Sequence, residues 1–255
     1  MTNRPLIVCQ AVTLTSLASM GCGTTTGARE VRVAAAANLS VALGEISRSF
    51  ASRTGIHVVP TLGPTAQLEQ QIENGAPVDV FLAADTQHVD RLLEEGAADT
   101  GSQAVYARGR LVLWAPQRKD IVSLNDLASP QVEQVGCAKP ELAPYGAAAV
   151  QALQKAGLWA TVGPKMVYGQ SISTAKQFAD SGNVAAAFTA LSLVYNLKGH
   201  YVLIDENLHD PLDQALCIVK QSPQPDSARK FREFILGNEG RTILTRFGYT
   251  VPLDR

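Results

Sequence analysis

The stretch Gln71-Ile72-Glu73-Asn74-Gly75-Ala76-Pro77-Val78-Asp79-Val80-Phe81-Leu82-Ala83-Ala84-Asp85 decides the reading of the fold. Leu68 and Ile72 share a helical face, and Gly75 ends that helix. Val78 to Ala83 is then a short apolar run of the kind buried inside a sheet. Upstream, Val31-Arg32-Val33-Ala34-Ala35 reads as a strand. Leu39, Ala42, Leu43, Ile46 and Phe50 fall at helical spacing, Gly55 stops that helix, and Ile56 to Pro60 is a second strand. Downstream, Val89, Leu92 and Leu93 lie on a further helix that ends at Gly96. Strands alternating with helices imply a parallel sheet covered on both faces.

The rhythm changes at Arg110 to Ala115, a strand followed by a second set of similar units. Strands are expected at 134–137, 165–168 and 185–188, and helices at 124–127, 146–157 and 173–182. Ala215 to Val219 reads as another crossing strand, and two helices, 226–236 and 239–247, close the chain. The expectation is an α/β protein of two lobes, each an open, mostly parallel sheet flanked by helices, joined by two crossing hinge strands near 110–115 and 215–219. The divisions are a leader over 1–28, the first part of lobe 1 over 29–112, lobe 2 over 113–216 and the completion of lobe 1 over 217–255. Open sheets bind ligands beyond the carboxyl ends of their strands, so two facing lobes make a cleft that hinge motion closes.

The chain has 255 residues, 46% hydrophobic and 18% charged, with a formal net charge of -1. These values fit a globular protein and offer no basic tract for nucleic acid. Arg4, the apolar residues from Leu6 to Leu17 and the small residues after them read as a secretory leader. Two processing readings stay open: a lipid-modified Cys22 after Gly21, or cleavage near Gly27. Cys9 and Cys22 belong to the leader. Cys137 and Cys217 sit in apolar stretches and read as buried strand thiols, with a disulfide as the alternative for an exported chain.

The chemistry gathers where strands meet helices. Ala36-Ala37-Asn38, Pro64-Thr65-Ala66, Ala143-Pro144-Tyr145-Gly146 and Ser171-Ile172-Ser173 each precede a helix. A helix N-terminus leaves backbone N–H groups without partners and carries partial positive charge, so it suits an anion. Asn38, Thr65 and Ser173 add side-chain donors. One junction alone is ordinary capping; four aimed into one cleft would hold a dianion with neutral groups only.

Blocks along the chain carry a resemblance. They are 33–39, 63–68, 71–85, Pro144-Tyr145-Gly146, Phe188-Thr189-Ala190-Leu191-Ser192 and Arg246-Phe247-Gly248-Tyr249. On these the chain resembles the periplasmic molybdate-binding proteins of bacterial ABC transporters, a type II periplasmic solute-binding protein family. The resemblance implies the two-lobe periplasmic-binding-protein fold, capture of molybdate or tungstate, and delivery to permease and ATPase subunits by a monomeric periplasmic protein that is not an enzyme and needs no cofactor. Residue by residue, it places Asn38, Thr65, Tyr145 and Ile172 around the oxyanion, with Ala37, Ser173 and Ala190 beside them. Pro64 departs from the family pattern: it stands where a Ser is usual and has no N–H to give.

Molybdate and tungstate are acceptor-only dianions near neutral pH. A cleft of donors alone rejects monohydrogen phosphate, whose O–H would meet no acceptor at a cost of about 1–3 kcal/mol. Sulfate is excluded only by size, and a binder of sulfate is the nearest alternative. An enzyme on the same fold would need an acid, base or nucleophile in the cleft, and only the Tyr145 phenol offers one. Asp79 and Asp85 read as structural strand-end carboxylates, the four histidines as surface or loop residues, and Trp114 and Trp159 as packing residues.

Overall fold

The computed structural model describes residues 29–251. The leader, with Cys9 and Cys22, lies outside the described residues. In chain order the first half contains β1 (Arg29–Ala36), α1 (Ser40–Thr54), β2 (Ile56–Gly63), α2 (Thr65–Glu73), β3 (Val80–Leu82), α3 (Gln87–Glu94), β4 (Ala104–Arg108) and β5 (Leu111–Trp114). The second half contains β6 (Val135–Ala138), α4 (Pro144–Lys155), α5 (Trp159–Val162), β7 (Met166–Gly169), α6 (Ile172–Asp180), β8 (Ala186–Ala190), β9 (Tyr201–Leu203), β10 (Asp213–Ile218), α7 (Pro225–Leu236) and α8 (Asn238–Arg246).

Two five-stranded sheets form, in the orders β2-β1-β3-β10-β4 and β7-β6-β8-β5-β9. The two share one plan. In the first, β1 runs parallel to β2 and β3, and β10 runs antiparallel to β3 and β4. In the second, β6 runs parallel to β7 and β8, and β5 runs antiparallel to β8 and β9. Each sheet therefore has four strands running one way and one, β10 or β5, running against them. The reason is the crossing itself. A strand arriving from the other lobe enters at the cleft, where its neighbours end, so it must run against them.

The crossings also fall a few residues earlier than the sequence suggests. β5 pairs with the second sheet from Leu111 and β10 with the first from Asp213, so the chain passes between sheets at 109–110 and over 204–212. The apolar runs read as crossing strands are each an inner strand of one sheet.

Burial explains the strand sequences. Val31, Val33 and Ala35 of β1, Val80 and Leu82 of β3, and Leu216 and Ile218 of β10 pack on one face with α1, α7 and α8. Ala34, Phe81, Ala215 and Cys217 alternate to the other face, against Leu68 and Ile72 of α2 and Val89 and Leu92 of α3. Strands covered on both faces read as unbroken apolar runs. Phe50 meets Phe231 and Phe234 edge-on, with centroids 5.1 and 5.5 Å apart. The second sheet has one larger core that also takes in Ala36, Ala37 and Ala84 from the first, so the two lobes touch.

Cys137 and Cys217 are buried free thiols on different sheets, β6 and β10. The Asp79 carboxylate is fully buried and accepts from the Arg32 and Gln224 N–H groups at 2.7 and 3.1 Å and from the Ser222 hydroxyl at 2.6 Å. His88 is buried on α3, unlike the surface or loop position expected, and His209 is buried within a loop. His88 packs its Nδ1 against Asp85 at 2.7 Å, tying α3 to the loop that follows β3.

Candidate functional site

The carboxyl ends of β1, β2, β6 and β7 face one another, and each is followed by a helix start. After β1 comes a 3₁₀ turn, Ala37–Leu39, leading into α1. Pro64, in extended conformation, caps α2, so Thr65 is its first residue. Ala143 caps α4, with Pro144 in the first turn, where its missing N–H costs nothing. Ser171 caps α6 and accepts from the Thr174 N–H at 3.1 Å. Gly146 lets α4 approach the sheet: a Cβ there would lie 2.3 Å from the Ala138 carbonyl oxygen.

All four starts line one small cavity, to which Ala37, Asn38, Pro64, Thr65, Tyr145 and Ile172 contribute, together with Gly63 and Ala84. The space open to the centre of a water molecule is about 10 Å³, room for one small solute centre. No lining residue carries a charged side chain. Larger hollows, such as one of about 340 Å³ beside Gln117 and Asn183, lie at the surface away from the helix starts. The first-turn N–H groups at Thr65, Tyr145 and Ile172 have no acceptor within their own helices. Among the described residues no group of three His, Cys, Asp or Glu side chains converges as a metal site would require.

The cleft is closed. The Ala66 N–H donates to the Leu142 carbonyl at 3.3 Å, the Ser173 hydroxyl to the Ala37 carbonyl at 3.3 Å, and the Ser192 hydroxyl to the Asn38 carbonyl at 2.8 Å. Each of these bonds joins the two lobes.

Behind the cavity lies a buried polar network. Asn38 Nδ2 donates to Gln214 Oε1 and to the Tyr249 hydroxyl, both at 2.9 Å. Gln214 Nε2 donates to the Tyr145 hydroxyl at 2.9 Å. The Tyr106 hydroxyl lies 2.9 Å from Gln214 Oε1 and 3.0 Å from the Ala83 carbonyl oxygen. Asn38 Oδ1 is buried with no partner. Thr65 Oγ1 accepts from the Ala84 N–H at 3.3 Å, which leaves its own hydrogen to give. Burial pushes the Tyr106, Tyr145 and Tyr249 hydroxyls above the ordinary tyrosine range, so all three stay protonated donors at neutral pH.

The structure thus brings together Ala37, Asn38, Thr65, Tyr145 and Ile172. Ser173 stands at the rim, its hydroxyl directed to Ala37, and Ala190 is buried at the end of β8, opposite Leu111. Sequence reasoning missed Gln214, Tyr106 and Tyr249 as members of the site. Gln214 had a signal: it is the polar residue that opens an otherwise apolar run, and it is completely buried.

The model of the family described as bacterial extracellular solute-binding protein matches residues 31–250. The molybdate-binding protein ModA of Rhodobacter capsulatus is 36% identical over 231 residues, covering 90% of this chain and 92% of its own. ModA of Azotobacter vinelandii is 35% identical, covering 87% and 90%. The solved periplasmic molybdate-binding protein of Azotobacter vinelandii superimposes with a TM-score of 0.82 over 88% of this chain and all of its own. The sulfate-binding protein SubI of Mycobacterium tuberculosis shares the fold, with a TM-score of 0.71 at 14% identity. The fold alone therefore does not choose between oxyanions.

Proposed function

The chain belongs to the bacterial extracellular solute-binding protein family, and from that premise we propose that it captures molybdate or tungstate in the cleft and delivers it to an ABC importer. It is a periplasmic binding protein, not an enzyme. The observation that carries the ligand reading is the convergence of four helix starts on one small, buried cavity without charged side chains.

In this reading the Thr65 hydroxyl, the first-turn N–H groups at Thr65, Tyr145 and Ile172, and the side chain of Asn38 surround the four oxygens. Ala37 contributes its backbone, while Ser173 and Ala190 hold the wall. Pro64 gives no N–H, so Thr65 carries that corner alone. Neutral donors suit an ion that enters and leaves, because they hold charge without the strong pairing of a buried Lys or Arg. Closing the lobes removes water and strengthens each of these bonds. Size sets the ligand apart from sulfate, since a smaller ion leaves the hydrogen bonds stretched.

The partners proposed are the permease and ATPase subunits of a molybdate importer, met by a monomer. Cys22, outside the described residues, is the position proposed for a lipid anchor; the mass of the mature N-terminus separates this from cleavage near Gly27. Thermal denaturation with added ions tests the ligand. A ligand that binds only the folded state raises stability as RT ln(1 + [L]/Kd). Molybdate and tungstate are expected to raise the melting temperature, and sulfate to do little. No shift with either metal oxyanion would overturn the reading.

A further inference from the structure

The buried network behind the cavity has a second proton arrangement on the same heavy-atom framework. In the first, Asn38 Nδ2 donates inward to Gln214 Oε1 and Tyr249, and Gln214 Nε2 donates to Tyr145. Asn38 Oδ1 is then left without a partner, and the Tyr145 hydrogen is free. Exchange the amide oxygen and nitrogen of both Asn38 and Gln214, and every buried contact but one can still be made: Tyr249, with a single hydrogen, no longer bonds the Asn38 side chain. Gln214 then donates to Asn38 and to the Tyr106 oxygen, while Tyr106 donates to the Ala83 carbonyl, 3.0 Å away. Tyr145 donates to Gln214, and Tyr249 keeps the Asn38 backbone carbonyl, 3.0 Å away. The unpaired group is now the Asn38 amide nitrogen, with two hydrogens.

The exchange is concerted. Turning Asn38 alone sets two carbonyl oxygens 2.9 Å apart, and turning Gln214 alone sets two amide nitrogens face to face. The two arrangements also make different demands on whatever fills the cavity. The first offers a hydrogen from Tyr145 beside a bare Asn38 oxygen, which suits a solute with both a donor and an acceptor. The second turns the two Asn38 hydrogens outward and commits the Tyr145 hydrogen to Gln214. An ion stabilises the arrangement it matches.

We infer that Gln214 is the positioning residue of the cavity: with an acceptor-only oxyanion bound, its carboxamide turns Asn38 Nδ2 toward the ion and takes the Tyr145 hydrogen for itself. The inference rests on the oxyanion reading above. It makes Gln214, which need not touch the ligand, a determinant of the preference for ions without a hydrogen over monohydrogen phosphate. Its place in the fold suits the role. Gln214 sits on β10 just after the second crossing, and its amide and the Tyr145 hydroxyl pack against Gly109 at the first. A Cβ on Gly109 would lie 1.9 Å from that hydroxyl and 2.6 Å from Gln214 Nε2.

Neutron diffraction from deuterium-exchanged crystals grown with molybdate reads the arrangement directly. The expected map places the two Asn38 deuterons on the atom turned away from Gln214, and the Tyr145 deuteron on the line to Gln214. Asn38 deuterons directed at Gln214 would overturn the inference. Calorimetry then tests the consequence with Gln214→Met, which keeps the length of the side chain and removes both hydrogen-bonding atoms. Roughly a tenfold or greater loss of molybdate affinity is expected, with the ratio of molybdate to phosphate affinity falling as well. A variant that folds and keeps both affinity and ratio would also overturn it. Absence of molybdate binding by the parent protein overturns the oxyanion reading itself, whereas normal binding with the opposite deuteron pattern overturns only the role of Gln214.

Discussion

Ser173, in the first turn of α6, gives its hydroxyl hydrogen to the Ala37 carbonyl 3.3 Å away, tying one lobe to the turn that carries Asn38 in the other. This bond exists only while the cleft is closed. Ser173→Ala removes it without touching either core. One hydrogen bond contributes about 0.5–1.5 kcal/mol, so ligand affinity should fall about twofold to tenfold while the melting temperature of the ligand-free protein holds. Calorimetry and a melt together check this, and an unchanged affinity would remove Ser173 from the closing surface.

Thr65 sits at the first position of α2 with Oγ1 accepting from the Ala84 N–H. Thr65→Val keeps the shape and loses both the acceptor and the hydrogen offered to the ion. Leaving the Ala84 N–H unpaired costs about 1–3 kcal/mol of stability. Affinity for molybdate should fall about tenfold or more in calorimetry, with a folded protein by circular dichroism. Unaltered affinity would place the Thr65 hydroxyl outside the site.

Asp79 is a contrasting case, a buried carboxylate remote from the cavity with three hydrogen bonds of its own. Asp79→Ala orphans the Arg32 N–H, leaves the Gln224 N–H with only the Ser222 hydroxyl 3.1 Å away, and frees the Ser222 hydrogen. A loss of about 3 kcal/mol or more in urea denaturation is expected. Binding should be nearly unaltered under conditions where the variant is folded.

Stability should fall on the alkaline side. Burial pushes the Cys137 and Cys217 thiols up to about 12 and raises the hydroxyls of Tyr106, Tyr145 and Tyr249. The unfolded chain releases these protons at ordinary values, about 8.5 for Cys and about 10 for Tyr. The folded state therefore binds more protons above those values, and its stability is full below them and declines as pH rises. Each group adds a slope of about 1.4 kcal/mol per pH unit once the unfolded form has ionised. Urea denaturation at about pH 7, 9 and 10.5 should show a loss of about 1–2 kcal/mol over the first interval, mostly from the two thiols, and a steeper loss over the second.

Much of this was legible before the structure, for identifiable reasons. The inner strands β1, β3, β8 and β10 are buried on both faces and announce themselves as apolar runs. β4 and β9 were not anticipated. Val105 and Leu203 stand exposed on these edge strands, and β9 has three residues, so neither shows a strong pattern. Which strand of each mostly parallel sheet runs reversed was hidden too, because strand direction follows from where the chain crosses the cleft and not from composition. At the site, the junction residues could be read because helix starts have their own chemistry. Tyr106 and Tyr249 could not, and Gln214 showed only as a polar residue opening an apolar run, since each reaches Asn38 or its partners only through tertiary packing, across 108 residues in the case of Tyr106 and Gln214. Tyr249 lies in a stretch quoted for the family resemblance, yet its hydrogen bond to Asn38 spans 211 residues.

The central claim is that neutral donors at four helix starts hold an acceptor-only oxyanion. Isothermal titration of the purified protein with molybdate, tungstate, sulfate and phosphate at neutral pH tests it most directly. The account predicts one site per chain that takes molybdate and tungstate tightly, sulfate weakly, and phosphate with no measurable heat. Absence of binding for both metal oxyanions, or phosphate binding as tightly as molybdate, would contradict it.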